Sequence, residues 1–326
     1  MKKAKSRFFT GIQPTGILTL GHYFGVIQHI LTIQEEYEVI IMICDLHALT
    51  IPKKDFDYKT TRKNIAALLY GCGLKEENCK IYFQSQIKEH LELNWLLTPF
   101  VTISELSNMI QYKEKKKSQE SGSLALLSYP VLMAADIFLF DADLIIVGQD
   151  QKQHLELANN IAQKFNNFYE KDLLKIPKFT IPKFGAKIMG FKNPQKKMSK
   201  SEQDCIFLLD KPETIEKKIK TAETDSENKI YYNPEKKPGI SNLLTIYALL
   251  NNKGIKESEE ELGKEKTNYS EFKSKIVALL SEKLEKIQEK YQYYLSSVED
   301  ITQKNTDYLK ILAGKKIETV KKELKI

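Results

Sequence analysis

Arginine is almost missing from this chain. It stands only at Arg7 and Arg62, so the formal net charge of +7 is carried by lysine. Such an excess suits a polyanionic partner such as nucleic acid. A lysine-rich composition with solvated surfaces gives the same total, and charge alone favours that plainer reading. Cysteine is also scarce. Cys44, Cys72, Cys79 and Cys205 are scattered with no C-x-x-C pair, which speaks against a zinc site and a disulfide framework and makes the cytoplasm the simplest compartment. Long apolar runs are absent too; stretches such as Val39 to Cys44 are far too short to span a membrane. The opening "MKKAKSRFFTGIQP" carries charge but no apolar stretch, so no secretory signal is expected.

What is present is ordinary globular material: 326 residues, 42% hydrophobic and 29% charged, enough for about two domains. Short β-branched runs alternate with helical patterns through the first half. Arg7–Thr10, "VIIMIC", "KIYFQS" and "LIIVG" read as strands. Helices are expected after Phe24, over Asp55–Tyr70, through "EHLELNWLL", over Ser104–Lys117, in "VLMAADIFLF" after Pro130 and over Asp150–Phe165. This alternation predicts an α/β fold with a parallel sheet wrapped by helices. Beyond Ile176 a Pro-, Gly- and Lys-rich stretch reads as loops. After Pro212 nearly everything is helical and amphipathic, with Phe272, Ile276, Leu279, Leu280, Leu284, Ile287, Tyr291 and Leu295 on one face. A boundary near Gly190 separates the two textures.

Four glycines fall between Gly11 and Gly25, in "GIQPTGILTLGHYFG". A strand, a glycine-rich loop and a helix let backbone N–H groups approach a phosphate at a helix N-terminus. Gly16 and Gly21 have the spacing of a P-loop, but His22-Tyr23 stands where that motif needs Lys-Ser/Thr, and no G-x-G-x-x-G is present. What remains is Thr19-Leu20-Gly21-His22, in which Gly21 would let a ligand lie against the backbone while Thr19 and His22 offer hydrogen bonds. A tight turn with a capping threonine would look the same.

A second stretch changes the balance. In "KKMSKS", Lys197-Met198-Ser199-Lys200-Ser201 places flexible ammonium groups on a loop at the boundary, where they can track developing charge on a polyphosphate. The T-x-G-H turn and this loop together resemble the HIGH and KMSKS signatures of class I aminoacyl-tRNA synthetases. "CDLHALT", "SYPVLMAADIFLF", "VGQDQKQHLELANNIAQKFN", "GAKIMGF" and "KPGISNLL" extend the resemblance to the bacterial-type tryptophanyl-tRNA synthetase family over nearly the whole chain, from Phe8 to beyond Leu244.

Asp136 lies in an otherwise apolar segment, and a buried carboxylate there needs a donor partner. An indole N–H donates and cannot accept, so a fixed acceptor would select it. Without the resemblance, pairing of Asp136 with a helix end or a lysine is the plainer expectation; the resemblance implies that it binds the indole nitrogen. It likewise implies Phe9, His47 and Met133 in the indole pocket, and Tyr129 and Gln151 at the ammonium and carboxylate end. Gln13, Pro14, Thr15, Gly21, His22, Gly148, Gln149 and Asp150 would meet ATP, Asp150 through the ribose hydroxyls. Ile188 would meet the adenine edge through its backbone, and Lys197, Met198, Ser199, Lys200 and Ser201 would close over the phosphates. Lys115 resembles a loop lysine that reaches the phosphates on closure, with Lys113, Lys116 and Lys117 competing for the role. Thr19, His22, Lys115, Lys197 and Lys200 are then the catalytic set, with no resident metal. His47 follows an apolar strand, at the carboxyl end where ligands bind in open α/β sheets. His154 reads as a packed core histidine, and His29 and His90 receive no role. Two positions depart from the commonest family pattern: His22 stands where asparagine is frequent, which makes its phosphate contact depend on protonation, and Gln149 replaces a frequent glutamate.

The resemblance implies a Rossmann-type catalytic domain over 1–191, the KMSKS loop and a helical anticodon-binding domain over 192–290, and C-terminal helices over 291–326 packing back on the core. It implies a homodimer that uses Mg-ATP, L-tryptophan and tRNA(Trp). A tyrosine-specific enzyme on the same scaffold and a catalytically inactive RNA-binding paralogue are the alternatives.

Overall fold

The computed structural model describes residues 5–117, 122–146, 148, 151–180, 187–198 and 204–326, with 115–117 followed through the backbone alone. Five parallel strands form one sheet: β1 Ser6–Ile12, β2 Tyr37–Ile43, β3 Cys79–Phe83, β4 Leu144–Ile146 and β5 Lys178–Thr180, in the order β3-β2-β1-β4-β5. Phe8 pairs with Val39 on one side and Leu144 on the other. Strands β1, β2 and β3 are mostly apolar because both faces are covered, whereas β5 is an exposed edge. Phe8, Val39, Ile41, Ile43, Ile81 and Phe83 enter one hydrophobic cluster; Phe9, Ile40, Met42, Tyr82 and Ile145, one residue out of step, enter the other. Each such side chain contributes roughly 1.5–3 kcal/mol on burial.

The helices run in chain order. Helix α1, Leu20–His22, passes through a π-type turn at Tyr23–Ile27 into α2, Gln28–Ile33. Then come α3 Asp45–Ala48, α4 Tyr58–Gly71, α5 Glu89–Leu97, α6 Ile103–Ser107, α7 Ile110–Lys117, α8 Leu124–Leu139 and α9 Lys152–Tyr169. After the lysine-rich stretch follow α10 Pro212–Lys220, α11 Pro238–Leu250, α12 Ile255–Lys264 and α13 Tyr269–Leu324. Helix α13 has 56 residues and starts at a capping box between Asn268 and Glu271. Its first half buries Phe272, Ile276, Leu280, Leu284 and Ile287 in one cluster, and its second half buries Leu309, Ala313, Ile317 and Val320 in the other. Between them Asn305 donates to the Ile81 carbonyl and to Tyr70 Oη, both at 3.0 Å. The helix therefore covers the β3 edge, whose backbone groups would otherwise lack partners.

The expected α/β class is what is found, with local differences. Residues 178–180, read as loop, form the β5 edge strand; three residues near Pro177 and Pro182 give no alternation to read. Helix α8 begins at Leu124, six residues before Pro130, because Ser123 caps it by accepting from Leu126 N at 3.1 Å; the proline costs one helical bond and does not stop the helix. The expected helix over 104–117 is broken at Asn108 and Met109, and α7 restarts where Gln153 of α9 accepts from Ile110 N at 2.9 Å.

Candidate active site

The strand order reverses between β1 and β4, and a cavity of about 990 Å³ opens at their carboxyl ends. Open α/β sheets take ligands at this point, where the chain leaves adjacent strands in opposite directions. The cavity is lined by Phe9, His47, Tyr129, Met133, Asp136 and Gln151, all six side chains assigned to the amino acid, and by Gln13 and Gly148 from the nucleotide set.

Asp136, on the buried face of α8, is only 1% exposed. His47 Nε2 lies 2.7 Å from its Oδ2, His90 Nδ1 lies 2.7 Å from its Oδ1, and Gln84 Nε2 donates to both oxygens at 3.0 Å. Burial alone would raise the carboxyl pKa; the imidazoles of His90 and His47 outweigh it and hold the group at about 2. An ionised carboxylate only accepts, so a hydrogen stands on His47 Nε2 where it meets Oδ2. On its other side His90 Nε2 is hydrogen-bonded to Tyr82 Oη at 2.9 Å. Gln84 is oriented the same way, since its Oε1 accepts from His47 N at 3.4 Å. Helix α3, which carries His47, is tied to the end of β3 by Asp45. That carboxylate accepts from Ser85 N at 2.9 Å, from Ser85 Oγ at 2.6 Å and from Arg62 at 2.7 Å.

Tyr129 faces His47 edge-on, with ring centroids 6.2 Å apart. Its Oη donates to Gln111 Oε1 at 3.0 Å and lies 2.6 Å from His154 Nε2. His154 is buried, as a core histidine should be, and it also fixes this cavity side chain. His90 and Gln84 were not singled out from sequence. His90 stands among charged neighbours at a helix start, and nothing local shows that it meets Asp136 from another element; "QSQ" after a strand was the available signal.

The second cluster lies around α1. Thr19 and His22 bond each other: His22 Nδ1 is 2.8 Å from Thr19 Oγ1 and accepts from Thr19 N at 3.2 Å. This capping arrangement needs an unprotonated Nδ1, which puts the hydrogen of the neutral ring on Nε2. Gly16 has φ +118°, a turn conformation that suits glycine. Leu20 N donates to Ile206 O and Leu208 N to Leu18 O, both at 2.9 Å, so the segment after the lysine loop lies against the T-x-G-H turn. Lys197 pairs with Met189 in a bridge, and Met198 N donates to Ile188 O at 2.9 Å. A Cβ placed on Gly21 would lie 4.0 Å from Met198 Sδ, which brings the two sequence signatures to one place. Pro14 and Thr15 lie in the loop between β1 and α1. Gln149, Asp150, Ser199, Lys200, Ser201 and the Lys115 side chain lie outside the described residues. Among the described residues no group of three or more His, Cys, Asp or Glu is placed to hold a metal ion.

The family model for class I tRNA synthetases (W and Y) matches residues 1–285. A tryptophan–tRNA ligase of Oceanobacillus iheyensis is 43% identical over 97% of this chain and 97% of its own length, and one from Bacillus subtilis is 43% identical over 90% and 89%. The crystal structure of tryptophanyl-tRNA synthetase from Mycoplasma pneumoniae superposes with a TM-score of 0.87 at 31% identity, covering 99% and 98% of the two chains. That of the Campylobacter jejuni enzyme complexed with ADP and tryptophan gives 0.84 at 30% identity, covering 98% and 100%. With the cavity at the sheet's switch point and the two signatures meeting beside α1, the chain belongs to the class I tRNA synthetases of the tryptophan and tyrosine group, in its tryptophan–tRNA ligase family.

Proposed function

We infer that this chain is a tryptophan–tRNA ligase, and that the observation carrying this reading is Asp136. A buried, ionised acceptor at the wall of the cavity, near the apolar side chains of Phe9 and Met133, is complementary to the one donor of an indole ring. A site built around such a hydrogen bond rejects analogues lacking the donor far more strongly than apolar fit can. Phe9 and Met133 give the ring apolar contact, and Tyr129 and Gln151 receive the ammonium and carboxylate end.

The reaction has two steps. A carboxylate oxygen of tryptophan attacks the α-phosphorus of Mg-ATP, the bond to the bridging oxygen breaks, and pyrophosphate leaves from tryptophanyl-adenylate. The 2′-hydroxyl of the terminal adenosine of tRNA(Trp) then attacks the activated carbonyl, releasing AMP. Positioning and charge stabilisation carry the first step more than a strong base does. Thr19, His22, Lys197, Lys200 and Lys115 supply them, and magnesium enters as part of the nucleotide substrate. Gln13, Pro14, Thr15, Gly21, Gly148, Gln149, Asp150 and Ile188 seat the nucleotide, and Met198, Ser199 and Ser201 close the loop over it. The meeting of Gly21 with Met198 supports this placement.

The proposed division of labour is 1–191 for activation, 192–290 for the lysine loop and the anticodon, and 291–326 against the core; where separate C-terminal helices were expected, the single helix α13 runs through the 290/291 boundary. The enzyme works in the cytoplasm as a homodimer. Leu91 and Trp95, one turn apart on α5 and 49% and 74% exposed, supply an apolar face for the second subunit. Trp95→Lys should then shift the sedimentation coefficient from dimer to monomer.

Amino-acid-dependent ATP–pyrophosphate exchange without tRNA tests the main reading. Exchange with tryptophan and not with tyrosine or phenylalanine is expected. Exchange with tyrosine would assign the sister activity, and silence with every amino acid would leave an RNA-binding paralogue.

A further inference from the structure

Asp136 is held from two sides that differ. His47 lines the cavity, so a substrate N–H approaching the carboxylate comes up against the same face. His90 is behind. It is fully buried, does not line the cavity, and places Nδ1 2.7 Å from Oδ1. Its ring is stacked on Tyr82, at 10° and 5.8 Å between centroids, and meets Phe140 edge-on at 70°. Tyr82 Oη, 2.9 Å from Nε2, holds the far end of the imidazole. The terminal torsion of an aspartate is broad, so the carboxylate plane is set by its partners and not by its rotamer. We propose that His90, backed by Tyr82, is a positioning residue for amino-acid selection: it fixes the plane of the Asp136 carboxylate so that one oxygen faces the cavity for an N–H donor.

This rests on the reading of Asp136 as the indole acceptor. When tryptophan binds, the contact that can give way is the one from His47, on the cavity side. The His90 and Gln84 contacts stay and keep the carboxylate from turning. Without the His90 imidazole against Oδ1 the carboxylate follows Gln84 and His47, and the contact to substrate is lost while the cavity keeps its shape.

The test compares tryptophan with its benzothienyl analogue, in which sulfur replaces the ring N–H, by kcat/KM in pyrophosphate exchange. His90→Leu should lower the preference for tryptophan by about tenfold, the scale of one hydrogen bond to a charged group, through KM for tryptophan with the analogue little affected. His90→Asn, whose Nδ2 stands near the position of Nδ1, should keep most of the preference. His90→Gln, which reaches only the Nε2 position, should behave as His90→Leu. If the leucine variant does not fold, the Asn and Gln pair carries the comparison. Equal loss for both substrates, or equal preference in the Asn and Gln variants, would overturn the role. Asp136→Ala separates the two levels. If it leaves the preference intact, the acceptor reading fails and this inference with it. If it abolishes the preference while His90→Leu keeps it, only the His90 role fails.

Discussion

Asp204 and Gly190 approach so closely that a Cβ on the glycine would lie 2.3 Å from Asp204 Oδ2. The carboxylate accepts from the backbone N–H groups of Phe191, Lys192 and Asn193 at 2.8 to 3.0 Å, so the turn is folded around it. Asp204 stands three residues beyond Ser201 at the end of the lysine loop, and the turn leads into Lys196–Met198, whose backbone pairs with residues 188–190. One carboxylate thus closes the base of the loop proposed to cover ATP. Asp204→Ala leaves three backbone donors without an acceptor, at about 1–3 kcal/mol each. Exchange kinetics should show KM for ATP rising more than KM for tryptophan, together with a lower melting temperature. An unchanged KM for ATP would mean that the turn does not set the loop.

Lys237 is a buried cation of the helical half. Its ammonium lies 3.0 Å from Asp225, 2.8 Å from Glu227, 2.9 Å from the Lys229 carbonyl and 2.9 Å from Tyr269 Oη, and 4.5 Å above the Tyr231 ring. These partners raise its pKa against the effect of burial. The cluster joins the segment before α11 to the start of α13. Lys237→Met should cost about 2–3 kcal/mol by urea unfolding, because the carboxylates lose a partner in a part-buried site. A change below half of that would make the cluster dispensable.

Acid stability has a defined sign. Asp136 is held at about 2 against an ordinary value of 3.8, by His90 and His47 acting against burial. Glu105 is held at about 2 against 4.5, chiefly by its hydrogen bond from Lys164. Both titrate lower folded than unfolded, so the unfolded chain binds their protons first. Their stabilisation is present above roughly pH 4.5 and fades as the pH falls toward 2. Glu105 and Lys164 are partly exposed, so salt should weaken their part and leave that of Asp136. Melting curves at low and high salt between pH 5 and pH 2 check this; an acid limb of equal depth in Asp136→Asn would contradict the part assigned to Asp136.

All four thiols are buried, and burial raises those of Cys44, Cys72 and Cys79, the last two to about 12. The folded protein should therefore react with a disulfide reagent at pH 8 only as fast as it opens. Four equivalents should appear on unfolding, and a fast equivalent in the native state would show a thiol the packing leaves reachable.

Much of this was legible in the sequence for physical reasons. Short β-branched runs and period-3.6 patterns report burial directly, so β1 to β4 and the α13 face from Phe272 to Tyr291 were readable. The cavity side chains were legible through motif resemblance and proved to line one space. What escaped was contact between distant elements. His90 and Gln84 meet Asp136 across gaps of 46 and 52 residues, and Asp204 grips a turn 11 to 13 residues upstream, where no local pattern exists. Thr19 and His22 were read as pointing at a ligand, and they also cap each other; residue types alone do not tell the two uses apart. The β5 edge was too short to carry a period.

The central claim is that the Asp136 carboxylate accepts the indole N–H of tryptophan. Tryptophan labelled with 15N at the indole nitrogen reports on that atom alone, since the protein's own Trp95 stays unlabelled. Bound to the wild-type chain, its N–H proton resonance should move downfield, as a charge-assisted hydrogen bond requires, and Asp136→Ala should return it toward the free position. Bound resonances that coincide in the two proteins would contradict the account.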